Sequence, residues 1–430
     1  MRRLTRLIPI LACALALVAP TQLPAASAAT VPYAVKPGLT FNNPTSGTAG
    51  HRRLLTVLEK AIDHAPPGSR IRMAQYLFDI DSTADKLIAA HKRGVVVQLL
   101  IDDHPMSVQT LRVRAALGTK KSATRSFVSR CKNSCMSSDT SVMHAKFYLF
   151  SKAGVSSNVS MISSANPYTG NSGTSWNNMH VLVGDTTIYA SLSKYFDDML
   201  PDIDRPNYYR TTTSGMHKIY LFPRAARAGS SDVPMLDVLN NVRCTGLARG
   251  YGSDGRTVVR IEQWGWSAAR LDIARRVWAL HDQGCKVQII ANKFNTGPRV
   301  FAVLLKRSAR YGQIPFYNAA IDTNGNGVRD KYMHHKVVMI NGKWFGQSTK
   351  VTYTGSANFS GTATLANNEL ILRVKDARTY DAYYRNFNYI RNNWTKRVTK
   401  VPAIVATSPA TVARVEKQLE AKMAATPDTF

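Results

Sequence analysis

Two copies of one short pattern restrict what this chain can fold into more than any other feature of it. His144-Ala145-Lys146 and His334-His335-Lys336 stand 190 residues apart (334 − 144). Each is followed by a strand-length apolar run and then by a small-residue turn ending in asparagine. The first runs through Phe147-Tyr148-Leu149-Phe150 to Ser163-Ser164-Ala165-Asn166, the second through Val337-Val338-Met339-Ile340 to Gly355-Ser356-Ala357-Asn358. Strand alternation puts the histidine and lysine of each copy on one face, near a sheet edge. The flanks repeat as well: Arg72-Met73-Ala74-Gln75 returns as Arg260-Ile261-Glu262-Gln263, the stretch from Gly94 to Leu100 returns from Gly284 to Ile290, and Asp185, Tyr189 and Phe196 return as Asp376, Tyr380 and Phe387. All offsets fall between 188 and 192 and keep one order. A lone His-x-Lys is commonplace. Two in register within such a series mean a tandem duplication of one α/β unit.

Periodicity predicts the content of each unit. Leu54, Leu58 and Ile62 mark an amphipathic helix. Ile71 to Phe78 and Val95 to Ile101 read as strands around a helix, Met161 to Ser163 and His180 to Val183 as further strands, and Ile188 to Leu200 as a closing helix. The second unit repeats this with strands near Val258 to Gln263, Val287 to Ala291 and Val337 to Ile340, and a helix from Ala377 to Trp394. The expected fold is α/β: two tandem α/β/α sandwich repeats related by a pseudo-two-fold axis. The first covers residues 29–212 and the second 213–400, with a junction around Thr213 to Lys218. Residues 401–430 read as a linker containing Pro402, Ser408 and Pro409, followed by an amphipathic helix from Val412 to Met423.

The N-terminus carries Arg2, Arg3 and Arg6, an apolar run from Leu7 to Val18, and Ala26-Ser27-Ala28, which predicts a signal peptide over residues 1–28 and a secreted, extracellular protein. A membrane anchor would need a run of roughly 20 residues, and this one is shorter. The paired arginines also leave the twin-arginine route open. With Cys13 gone, Cys131, Cys135, Cys244 and Cys285 remain, an even number that favours disulfides outside the cytoplasm. One pair per half, Cys131 with Cys135 and Cys244 with Cys285, is the natural choice among the three connectivities. The formal charge is +29, and loss of the three leader arginines leaves +26. Such a field draws anions, so the expected partners bear phosphate: phospholipid surfaces, nucleic acid or anionic wall polymer. Part of the charge is simply solubilising.

The motif residues suit a phosphodiester. One imidazole can attack phosphorus, a second can protonate the leaving oxygen, and two ammonium groups with two amides can hold the non-bridging oxygens, with no metal or other cofactor needed for catalysis. On these residues the chain resembles the phospholipase D superfamily, whose pattern is H-x-K-x(4)-D followed by G-S-x-N, over nearly all of its mature length. The resemblance implies that the two motifs meet in one pocket. It assigns catalysis to His144, Lys146, His334, Lys336, Asn166 and Asn358, and substrate binding to Ser164 and Ser356. It makes one histidine a phosphohistidine nucleophile, by family practice His144, and the other, His334, the acid and then base; the reverse assignment stays open. Glu369 resembles the family's carboxylate that orients a catalytic histidine, while Asn177-Asn178-Met179 in the first half offers no carboxylate. Three positions depart from the pattern: Ser151 and Asn341 replace the motif aspartates and Ser163 replaces the first glycine.

Asp322, Asn324, Asn326 and Asp330 resemble the first part of a calcium loop, for a structural ion, although Met333 stands where such a loop ends in glutamate. The other reading is an Asn-Gly turn leading to His334. Trp176, Trp264 and Trp266 are candidates either for a pocket mouth or for buried packing. His335 should face away from the reacting side. The expected function is a secreted phospholipase D that releases phosphatidic acid and a free alcohol. The alternatives are a metal-independent nuclease of the same superfamily and a non-catalytic binder of anionic polymer. One chain holds both motifs, so a monomer is expected.

Overall fold

The computed structural model describes residues 32–137, 140–224, 234–326, 328–401, 403 and 408–425, so the expected signal peptide lies outside the described residues. The duplication is visible in the sheets. A seven-stranded sheet runs Gly38–Phe41, Asn178–Leu182, Ser156–Ser163, Phe147–Ala153, Arg70–Gln75, Val96–Ile101, Phe127–Arg130. The second sheet repeats that order as Leu370–Val374, Gln347–Gly355, Lys336–Trp344, Val258–Gln263, Lys286–Ala291, Phe316–Asn318, with Lys396–Val398 at its far edge. In both, the strand after the motif lies antiparallel to the strand ending in Gln75 or Gln263, and that strand lies parallel to the next.

The near-continuous apolar runs follow from burial on both faces. One face of each sheet covers its own core: Ile71, Met73, Tyr148 and Phe150 in the first half, Val259, Ile261, Val338 and Ile340 in the second. The other faces share residues between halves. Phe147, Leu149 and Phe196 pack with Leu370, Leu372 and Ile219, while Trp176 packs with Met333, Val337, Tyr383 and Phe387. The helices Thr186–Met199 and Ala377–Trp394 supply much of this shared layer, and the described residues from Tyr33 onward form one compact unit. At roughly 25 cal/mol per Å² of apolar surface, so continuous a shared core binds the halves far more tightly than a mobile domain contact would.

The junction differs from the sequence expectation. Arg210–Ser214 and His217–Leu221 form a hairpin at the edge of the second sheet, pairing with Leu370–Val374, so a boundary between residues 212 and 213 falls inside a strand. Cys131 and Cys135, and Cys244 and Cys285, are paired as disulfides. The C-terminal helix spans Pro409–Ala425. No described helix is long and apolar enough to cross a membrane.

Candidate active site

Each motif enters the site by pairing with the opposite half. Met143 bridges Asn368 in parallel and the His144 N–H donates to the Asn368 carbonyl at 3.0 Å. In the other half, Tyr332–Met333 pairs in parallel with Ser175–Trp176 and the His334 N–H donates to the Trp176 carbonyl at 3.1 Å. The side chains cross in the same way. His144 Nδ1 lies 2.7 Å from Glu369 Oε1, and His334 Nδ1 lies 2.7 Å from Asn177 Oδ1. Glu369 and Asn177 are equivalent positions, 192 apart, the same offset as Asn358 and Asn166. The Asn177 amide has one orientation, because its Nδ2 donates to the carbonyls of Asn171 and Ser175 and to Ser175 Oγ. Its oxygen therefore faces His334, which must carry its proton on Nδ1.

The lysines lie beside the rings. Lys336 Nζ is 2.9 Å from His334 Nε2 and 5.7 Å from the centre of the Trp264 ring. Lys146 Nζ donates to the His144 carbonyl at 2.7 Å and sits 5.5 Å from the Tyr76 ring. Tyr76 and Trp264 are themselves equivalents, 188 apart, and each meets its histidine edge-on, at 5.5 and 5.8 Å. His144, Lys146 and His334 are fully buried and Lys336 is 5% exposed. Two buried ammonium groups are costly to hold in an apolar interior, and a site built for an anion is the setting that compensates for them.

The remaining expected residues hold this arrangement. Asn166 Oδ1 accepts the N–H groups of Tyr76 and Leu77, at 3.0 and 3.2 Å, which fixes the Tyr76 backbone. Asn358 borders a cavity of about 30 Å³ with Lys336 and Gln263. The hydroxyls of Ser164 and Ser356 are turned to protein: Ser164 Oγ donates to Asn177 Oδ1 at 2.9 Å and accepts the Asn178 N–H, while Ser356 Oγ accepts the Leu370 N–H at 3.1 Å. Both thus brace the segments carrying Asn177 and Glu369. Ser151 Oγ accepts the Arg70 N–H and Asn341 Oδ1 the Gly252 N–H, at 2.8 and 3.0 Å, so the altered motif positions make backbone hydrogen bonds and remove no reacting group. His335 faces away and pairs with buried Glu262 at 3.0 Å. Trp176, Trp264 and Trp266 are all buried.

Residues 322–330 turn their side-chain oxygens onto their own backbone. Asp322 Oδ1 accepts from Gly325, Asn324 Oδ1 from Asn326, Asn326 Oδ1 from Val328 and Asp330 Oδ2 from Thr323, at 2.7 to 3.1 Å. The loop has the turn chemistry of its sequence.

Three features were not singled out from the sequence. Asn177 is one; its signal was its equivalence to Glu369. Gln75 and Gln263, noticed only as markers of the repeat, are a second: both are buried at the end of the strand beside a motif lysine, and neither amide has a partner among the described residues. The third is a chain behind Tyr76. Its hydroxyl lies 2.7 Å from His104 Nε2, and His104 Nδ1 lies 2.5 Å from buried Asp102, which holds the His104 imidazole above its ordinary range. Asp102 also accepts the Met143 N–H, next to His144. The end of the C-terminal helix closes over both motifs, with Met423 buried against Trp264 and Tyr332 and the Ala425 carbonyl accepting from the Tyr76 hydroxyl at 3.2 Å.

Gly355 explains the uneven pair of turns. Its φ is +152°, and a Cβ there would lie 2.2 Å from the Leu370 carbonyl oxygen. Ser163 meets no such demand: its Oγ donates to the Asn178 carbonyl and accepts the Ala165 N–H. Gly355→Ser should therefore lower stability by about 1–3 kcal/mol, read as a shift in the urea midpoint, while Ser163→Gly should cost less than Gly355→Ser.

With this geometry in hand, comparison with known proteins gives a consistent result. The family model described as "Cardiolipin synthase, PLD-like domain" matches residues 58–200 and 264–391, one match per repeat. No curated protein sequence matches the chain. Among solved structures, the phosphatidylserine synthase of Haemophilus influenzae Rd KW20 aligns with a TM-score of 0.55 at 12% identity, over 89% of this chain and 94% of its own. The polyphosphate kinase of Porphyromonas gingivalis aligns with a TM-score of 0.53 at 13% identity over 90% of this chain, which spans only 56% of that longer one. At such identities the two structures speak for the fold alone, but the family match covers both repeats and brackets both histidine–lysine pairs. The chain belongs to the phospholipase D-like family.

Proposed function

We propose that the protein is a secreted phosphodiesterase that hydrolyses phospholipids to phosphatidic acid and a free alcohol through a phosphohistidine. The observation that carries this reading is the crossed pair of Nδ1 contacts, each histidine held by an acceptor from the opposite half. The acceptors differ, and the difference separates the roles. Attack by His144 Nε2 on phosphorus leaves a positively charged ring with its proton on Nδ1, which the buried Glu369 carboxylate stabilises. His334 is backed by a neutral amide and faces an ammonium group. Its protonated form gives a proton to the departing alkoxide. In the second step His334 Nε2 takes a proton from water, the water oxygen bonds to phosphorus, and the P–N bond to His144 breaks. Lys146 and Lys336, with Gln75 and Gln263, are assigned to the non-bridging oxygens. Ser164, Ser356, Asn166 and Asn358 are assigned to holding the site in shape.

The lipid reading is supported by the family, whose model is named for cardiolipin synthase, and secretion by the two disulfides. The charge of +29 favours the second reading, a nuclease. Turnover of phosphatidylcholine vesicles and of single- and double-stranded DNA, side by side, separates them. Choline release that His334→Ala removes supports the phospholipase, DNA loss that it removes supports the nuclease, and no turnover of either contradicts both. Run in EDTA, the reaction should keep its rate, since no step uses a metal. Calcium at residues 322–330 would show only as a rise in the unfolding midpoint on adding the ion, and no shift would dismiss that site.

A further inference from the structure

The duplication provides an internal comparison away from the catalytic pocket. In the first half, Arg72 is 5% exposed, donates to Gln98 at 3.0 Å and is paired with Asp197 at 2.8 Å. Gln98 in turn donates to the Ser122 carbonyl at 2.9 Å, so the loop there covers this end of the sheet. In the second half, Arg260 makes the same bond to Gln288, at 2.8 Å, but the position equivalent to Asp197 is Asn388. Arg260 instead meets the Tyr380 hydroxyl at 2.8 Å and stacks 4.1 Å from the centre of the Tyr384 ring. Arg260 is half-buried, and a groove of about 350 Å³ opens beside it, lined by Arg256, Arg260, Lys286, Arg391, Tyr311 and Tyr384.

Three of those cations are additions in the second repeat. Arg256, Lys286 and Arg391 stand where the first repeat has Gly68, Val96 and Leu200, at offsets of 188, 190 and 191. Lys286 has a carboxylate partner in Asp254. Among the described residues, none lies within ion-pair distance of Arg256, Arg260 or Arg391. Arg256 stacks on Tyr311 at 5.2 Å, and Arg391 donates to Asn392. One repeat has thus lost the carboxylate that pairs with the buried arginine, gained three cations and opened a cavity at the same place. A solubilising surface needs none of these to coincide. The groove lies at the opposite end of Val258–Gln263 from Gln263, with roughly 10 Å of strand between Arg260 and the catalytic pocket.

We propose that this groove is a second anion site, separate from the catalytic pocket, for a ligand carrying several phosphate groups. Guanidinium forks pair bidentately with phosphate oxygens, the tyrosine hydroxyls add donors, and the volume suits a small ligand or one headgroup. The reading does not depend on the reaction proposed above.

The test is equilibrium titration of the full chain with inorganic tripolyphosphate at fixed ionic strength, in a Lys336→Ala background so that the catalytic pocket contributes least. Arg391→Gln and Arg260→Gln should each weaken binding about 10-fold or more, as loss of a charge-assisted pair would. Arg114→Gln, an equal charge change on an exposed helix of the first repeat, should stay within about 2-fold on the same scale. Arg260→Lys keeps a cation and serves if Arg260→Gln unfolds. Unchanged affinity in the groove variants, or a loss no greater than that of Arg114→Gln, overturns the proposal. Given binding, its displacement by phosphatidic acid vesicles assigns the phosphates to lipid headgroups. Persistence assigns them to a soluble ligand.

Discussion

His144→Ala and His334→Ala should each lower phosphodiester turnover by a factor of about 10³ or more, since one removes the nucleophile and the other the proton donor. The double variant should be little worse than either, because the two rings act in one sequence of steps. Their effects on stability should differ. His144→Ala strips Glu369 of its bond to His144, and Glu369 Oε2 already lacks a partner among the described residues, so a buried carboxylate is left bare. That costs on the order of 1–3 kcal/mol or more. His334→Ala leaves Asn177, a neutral amide that keeps its bond from Ser164. A urea midpoint lowered more by His144→Ala than by His334→Ala is the expected result. Wild-type turnover in either variant would remove that residue from the mechanism.

Glu369→Gln should have the next largest effect. An amide can still accept from His144 Nδ1, as Asn177 does from His334, so orientation is kept and charge alone is lost. The expected loss is about 10- to 100-fold in kcat with KM little changed, concentrated in formation of the covalent intermediate. Glu369→Ala, which also loses the orienting acceptor, should fall further. Equal rates for Glu369→Gln and wild type would mean that the carboxylate only positions the ring and would withdraw the argument assigning attack to His144.

The fold was legible because its unit occurs twice. The recurrences of Arg72-Met73-Ala74-Gln75 and of the Gly94 to Leu100 stretch mark the central parallel strands of both sheets, and the helix expected over Ala377 to Trp394 has those bounds. The hairpin around Thr213 was read as a junction because its polar strand Arg210–Ser214 has no apolar periodicity; it is held by pairing to a buried neighbour. The residues assigned to the reaction stand out in the sequence as dense motif matches. Their supports do not. Asn177 carries an unremarkable residue type, and its role exists only once the other half brings His334 to it. Ser164 and Ser356 lie in the right turns, yet side-chain direction after a tight turn is a tertiary outcome, and both hydroxyls meet protein. The open groove at Arg260 likewise depends on a loop that covers Gln98 and has no counterpart over Gln288 among the described residues.

The central claim is that the two halves make one site that passes a phosphoryl group through His144. Acid-free quenching of the enzyme in single turnover with a phosphate-labelled substrate, followed by peptide mapping, tests it directly. The account predicts an acid-labile, base-stable adduct on the peptide containing His144, formed by wild type and absent from His144→Ala. Turnover without such an adduct, or an adduct on any other residue, would contradict it.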